Sequence, residues 1–68
     1  MTTAAAASVY VRHAETMYTE SMDYACEYAL VNEAVSRCAA VDALLIAHDM
    51  GRPDLIPRAR SFIDALNI

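Results

Sequence analysis

Lysine and tryptophan are absent from this chain, and phenylalanine and glycine occur once each. Without lysine, all cationic side chains are arginines: Arg12, Arg37, Arg52, Arg58 and Arg60. Nine acids outnumber them, for a net charge of −4. Nucleic-acid binders draw much of their affinity from Lys and Arg on phosphates. The charge balance therefore argues against direct nucleic-acid binding and against anionic membrane surfaces. The shortage of large aromatics leaves a core of Ala, Val, Leu, Ile, Met and Tyr. Alanine adds little buried area, so a bundle of this composition has a thin core. At 68 residues there is room for one domain, and chains this short are often marginal alone. Completion of the bundle by dimerisation is the expectation.

Only two prolines and one glycine punctuate the chain, and none falls between Ser21 and Met50. No stretch approaches the roughly 20 apolar residues of a membrane span. No basic n-region precedes an apolar stretch at the N-terminus, so a cytoplasmic location is expected. The two cysteines, Cys26 and Cys38, form no CxxC and no Cys/His cluster. On one continuous helix they would stand about 18 Å apart, too far for a disulfide. They read as small buried apolar residues, and no metal site or cofactor is expected.

What is present has helical spacing. Thr2 or Thr3 can N-cap a first helix, and the following alanines favour it. Val9–Val11 is a brief β-leaning interruption. From Arg12 to Leu30 one arc of a helical wheel collects Ala14, Met17, Tyr18, Met22, Tyr24, Ala25, Tyr28 and Ala29. Thr16, Glu20, Asp23 and Glu27 share the opposite arc, an amphipathic pattern. The phase slips at Val31-Asn32-Glu33, where the helix either kinks or ends with Asn32 as a new N-cap. Beyond the slip, Leu30, Ala34, Val35, Cys38, Val41, Leu44, Leu45 and His48 form a second apolar stripe. Glu33 and Arg37 lie four apart in the favourable order. Gly51 suits a left-handed helix C-terminus, and Pro53 cannot continue the helix. Asp54 is placed to N-cap the last helix, whose apolar face is Ile56, Ala59, Phe62, Ile63 and Leu66. The fold class is therefore all-α. Residues 1–68 form a single small bundle of two to three helices, with a helical hairpin across residues 51–53.

Two short stretches resemble a known superfamily. VYVRHAET, from Val9 to Thr16, is similar to the strand and Arg-His motif that opens the histidine phosphatases. ALLIAHDMG, from Ala43 to Gly51, resembles the later strand and Gly-His motif of the same proteins. The resemblance implies a phosphorylated His13, Arg12 as a phosphate ligand and His48 as a second pocket histidine. It also implies strand at residues 9–12 and 43–47. Taken singly, His13 reads as solvated. His48 sits in a last helical turn, where a protonated imidazole is favourable.

The acidic segment points elsewhere. Between His13 and Ser36 lie Glu15, Glu20, Asp23, Glu27 and Glu33, with no Lys or Arg. A carboxylate stripe edged by tyrosines offers charge and anchoring side chains to a basic protein surface. The leading reading is a non-enzymatic protein-binding regulator or inhibitor that uses Glu20, Asp23, Tyr24, Glu27 and Tyr28. Its sharper form competes with nucleic acid for the basic groove of a nucleic-acid-binding complex. Met17, Tyr18, Met22 and Val35 are the expected self-interface of a homodimer. A second reading is a structural module whose only role is to oligomerise, and a third is a minimal histidine-phosphatase-like protein.

Overall fold

In a computed structural model, the backbone is described for residues 4–66 and side chains for residues 12–66. Three helices follow one another: α1 (Ala4–Tyr28), α2 (Glu33–Asp49) and α3 (Ile56–Leu66). No strand occurs among the described residues. The expected cap at Thr2 or Thr3 lies outside them. Val9–Val11 continues the helix, so its β-branched residues do not interrupt α1. Residues 43–47 are likewise helical. Neither strand implied by the histidine-phosphatase resemblance is formed.

The phase slip is a turn. Helix α1 ends at Tyr28, whose carbonyl accepts from the Val31 and Asn32 amides at 3.1 and 2.8 Å. Asn32 then adopts extended backbone (φ −152°), and its side-chain oxygen accepts from the Val35 amide at 3.2 Å. That is an N-cap satisfying one of the donors a helix start leaves free. Glu33 follows in the first turn and pairs with Arg37 at 2.9 Å.

Helix α2 stops in a Schellman motif. The Gly51 amide bonds the His48 carbonyl and the Arg52 amide bonds the Ala47 carbonyl, at 3.1 and 3.0 Å. Gly51 has φ +66°, the left-handed geometry this motif requires. The expected Asp54 cap does not form. Helix α3 starts two residues later, after a turn closed by Leu55 to Arg52 and Ile56 to Pro53 bonds. The Asp54 carboxylate instead takes a two-pronged bond from the Arg52 guanidinium, at 3.0 and 2.9 Å.

Helices α1 and α2 form an antiparallel hairpin, and α3 folds back along one side of it. At 1.5 Å per residue α1 is about 37 Å long and α2 about 25 Å. The first turns of α1 therefore run past the end of α2, consistent with a longest dimension of 46 Å. Two connected clusters form the core. One joins Tyr18 and Met22 of α1 to Ala43 and Ala47 of α2 and Ala59 of α3, with Leu55, Ile56 and Phe62 against it. The other joins Ala25 to Ala39 and Ala40, closed by Phe62 and Ile63. The Tyr18 hydroxyl donates to the Leu55 carbonyl at 3.0 Å, tying the α2–α3 loop to α1. The Ser36 hydroxyl, wholly buried, donates to the Ala25 carbonyl in the last turn of α1. There the in-helix donors have run out.

The second apolar stripe is not the buried face of α2. Buried instead are Ser36, Ala39, Ala40, Ala43 and Ala47. Ala34, Cys38, Val41 and Leu45 face outward, Leu45 at 57% exposure. Leu30 is 100% exposed at the hairpin tip, beside exposed Val31. Both cysteines are exposed rather than buried.

Candidate functional site

Helix α1 carries the predicted partner-binding residues. On a wheel its buried line runs through Tyr18, Met22 and Ala25. Glu20, Asp23 and Glu27 stand opposite and are all exposed. Tyr24, predicted on the apolar arc, lies at its edge and is 47% exposed. Tyr28, one turn later, is half-buried, and the two rings meet at a centroid distance of 4.5 Å and 31° between planes. Their spacing of four residues brings them together on one flank of the helix. The Tyr28 phenol is held above its ordinary value. Hydrogen bonding to Tyr24 is the main cause, followed by the Tyr24 and Glu27 charges and desolvation. All five predicted partner-binding residues therefore lie on one continuous stretch of α1, three as a carboxylate stripe and two as a stacked pair beside it.

The four predicted self-interface residues separate. Tyr18 and Met22 are 2% exposed and covered by α2 and α3 of the same chain. Met17 is 44% exposed, and Val35 is half-buried. These last two border a groove of about 500 Å³ between α1 and α2. Its other walls are Glu20, Ser21 and Tyr24 from α1, and Ala34, Cys38, Ala39 and Asp42 from α2. A smaller hollow of about 260 Å³ continues it toward the far end of the hairpin, between His13, Ala14 and Met17 of α1 and Ile46, Asp49 and Met50 of α2. Residues of α3 line neither part.

Sequence reasoning missed the groove. It needed the α1–α2 pairing, which brings Glu20 and Asp42, 22 positions apart in the chain, to the same opening. The available signal was the heptad-like spacing of Val35, Asp42 and Asp49, which places all three on one flank of α2.

Charge is segregated about the hairpin. No arginine lines the groove or its continuation. Arg37 pairs with Glu33, and Arg52 joins Glu15 to Asp54 at 2.9 Å each, on the side where the α2–α3 loop crosses α1. The Arg52 guanidinium is stabilised in its charged form, first by its hydrogen bond to Asp54. Asp54 is correspondingly held below the usual carboxylate range, chiefly by that same bond. His13 and His48 are both exposed, on α1 and in the last turn of α2. Among the described residues, no three His, Cys, Asp or Glu side chains converge as a metal site. No helix among them is long and apolar enough to cross a membrane. The chain matches no protein-family model, no curated protein and no solved structure.

Proposed function

We propose that this protein is a non-enzymatic binding module, a small regulator or inhibitor that docks on a basic protein surface through α1. The observation that carries the reading is the exposure of Glu20, Asp23 and Glu27 in one stripe beside the stacked Tyr24–Tyr28 pair. Carboxylates held on a helix accept hydrogen bonds from Arg and Lys, and like-signed neighbours steer a basic partner at long range. Tyrosine adds contact area at low entropic cost, as interface anchors do. A basic surface that normally holds nucleic acid is the sharper target, because the stripe presents regularly spaced anionic oxygens.

The test is charge reversal. The partner is captured with the wild-type chain and identified, and the purified pair is titrated by calorimetry at low salt. Glu20→Lys, Asp23→Lys and Glu27→Lys together are expected to weaken binding at least about tenfold, or 1.4 kcal/mol. Circular dichroism checks that the variant keeps its helices. Unchanged affinity in a folded triple variant overturns the reading.

A second reading, self-association, is favoured by the exposed aliphatic residues Leu30, Val31, Val41 and Leu45. With Tyr18 and Met22 occupied inside the chain, a second copy would meet Met17, Val35 and this aliphatic surface. It predicts a molar mass near twice 7.4 kDa and a melting temperature that rises with concentration.

A further inference from the structure

The α1–α2 hairpin has two flanks, and among the described residues only one is filled. The α2–α3 loop and α3 fill one with Leu55, Ile56, Phe62 and Ile63. On α2 the residues turned that way are Ala40, Leu44 and Ala47. Val35, Asp42 and Ile46 lie on the opposite flank, along the open groove. From the geometry we infer that the open groove receives one amphipathic helix of a partner protein, with Lys or Arg flanking an apolar stripe. The docked helix would be the fourth of a bundle. The inference rests on the proposed binding role and names the partner's form.

Three features carry it. The less exposed lining includes small Ser21 and Ala39, with exposed Cys38 at the α2 edge, so a helix backbone can approach closely. Met17 and Tyr24 stand at its edge, 44% and 47% exposed, as apolar surface a docked helix would cover. The rim is acidic: Glu20 on one side, Asp42 on the other and Asp49 further along, and no arginine lines it. An apolar stripe between basic edges complements this arrangement, the helix-in-groove mode of recognition. A second copy of this chain fits worse. It carries the same charge of −4, and its exposed Val41 and Leu45 are neighboured by its own Asp42 and Asp49, so acids would face acids across the contact.

Cys38 in the groove and Cys26 on the far flank of α1 provide internal reporters, since both thiols are exposed. The probe is a synthetic peptide of about 18 residues, roughly 27 Å as a helix, with leucines along one face and lysines beside them. Two control peptides accompany it, one of the same composition in scrambled order and one with glutamates in place of lysines. Alkylation of the full chain is followed by mass spectrometry. The probe is expected to slow Cys38 modification about tenfold and leave Cys26 unchanged, while both controls do neither. Asp42→Lys should weaken protection about tenfold, whereas Asp23→Lys with Glu27→Lys should not change it, because those two acids lie outside the groove.

Other outcomes overturn the inference. Probe binding that leaves Cys38 reactive but is lost in Asp23→Lys/Glu27→Lys removes the groove and keeps the acidic face. No binding of the probe at low salt removes the groove, and the triple charge reversal then judges the acidic face separately. Protection of Cys38 that needs no probe, and rises with protein concentration as the mass doubles, assigns the groove to a second copy.

Discussion

On α2, the side turned to α1 and α3 consists of Ser36, Ala39, Ala40, Ala43 and Ala47, whereas Val41 and Leu45 on the opposite side meet solvent. The two sides have the same spacing. Ser36, Ala40, Ala43 and Ala47 are separated by four, three and four residues, and so are Ala34, Cys38, Val41 and Leu45. The buried side supplies holes rather than knobs. Tyr18 and Met22 come from α1, and Leu55, Ile56 and Phe62 from the α2–α3 loop and α3. Small side chains on the central helix let both neighbours approach, and the bulk that fills the space comes from them. Hydrophobicity thus predicts the contents of a core less well than the sum of volumes on facing helices.

The largest effect expected from this contrast comes from enlarging the alanine side. Ala43 has no exposed surface, and Ala43→Leu forces three methylene-sized groups into a closed seam. A loss of about 1–3 kcal/mol in urea denaturation is expected, enough to unfold a marginal chain of this size. Leu45→Ala on the solvent side should stay within about 0.5 kcal/mol. Equal costs for the two substitutions would mean that the two sides of α2 are not distinguished as described.

A smaller effect is expected at the polar point of the seam. Ser36→Ala removes the hydroxyl that satisfies the Ala25 carbonyl between α1 and α2. Its cost should be about 1 kcal/mol, read from the shift in denaturation midpoint at unchanged slope. A neutral Ser36→Ala would make Ser36 only another small residue, and the seam a matter of size alone.

The smallest effect lies in the exposed loop that holds α3 against α1. The Asp54 carboxyl is held below its ordinary value by Arg52. A depressed folded value stabilises the folded chain above the unfolded carboxylate value of about 3.9. That contribution is lost as pH falls through the folded value. Because the pair is exposed, solvent and salt screen it. An NMR titration should place Asp54 below the unfolded carboxylate value of about 3.9, and Arg52→Gln should return it upward. An Asp54 that titrates at the unfolded value would leave the loop held by the Tyr18–Leu55 bond and apolar packing alone.

Much of this architecture was legible in the chain. Asn32 ended one phase and capped the next, because its side chain can accept the first free amide of a helix. Gly51 with Pro53 marked the α2 terminus, because a left-handed residue costs glycine nothing and proline cannot donate onward. The exposed stripe of Glu20, Asp23 and Glu27 followed from 3.6 residues per turn. Asp54 misled because its carboxylate had two possible partners, a helix amide and Arg52, and local spacing does not rank them. Tyr18 and Met22 were assigned to a second copy because their coverage by α3 depends on how the chain returns.

The sequence by itself determined that there are helices, that α2 stops at Gly51 and which face of α1 carries charge, since periodicity and caps act within a few residues. Tertiary structure alone decided which of two equally spaced sides of α2 is buried. It also decided that Leu30 and Leu45 stay in solvent, and that a groove with Glu20 and Asp42 on its rims opens beside Met17 and Tyr24. Those choices depend on matching volumes and charges across helices distant in the chain, which no window along one helix contains.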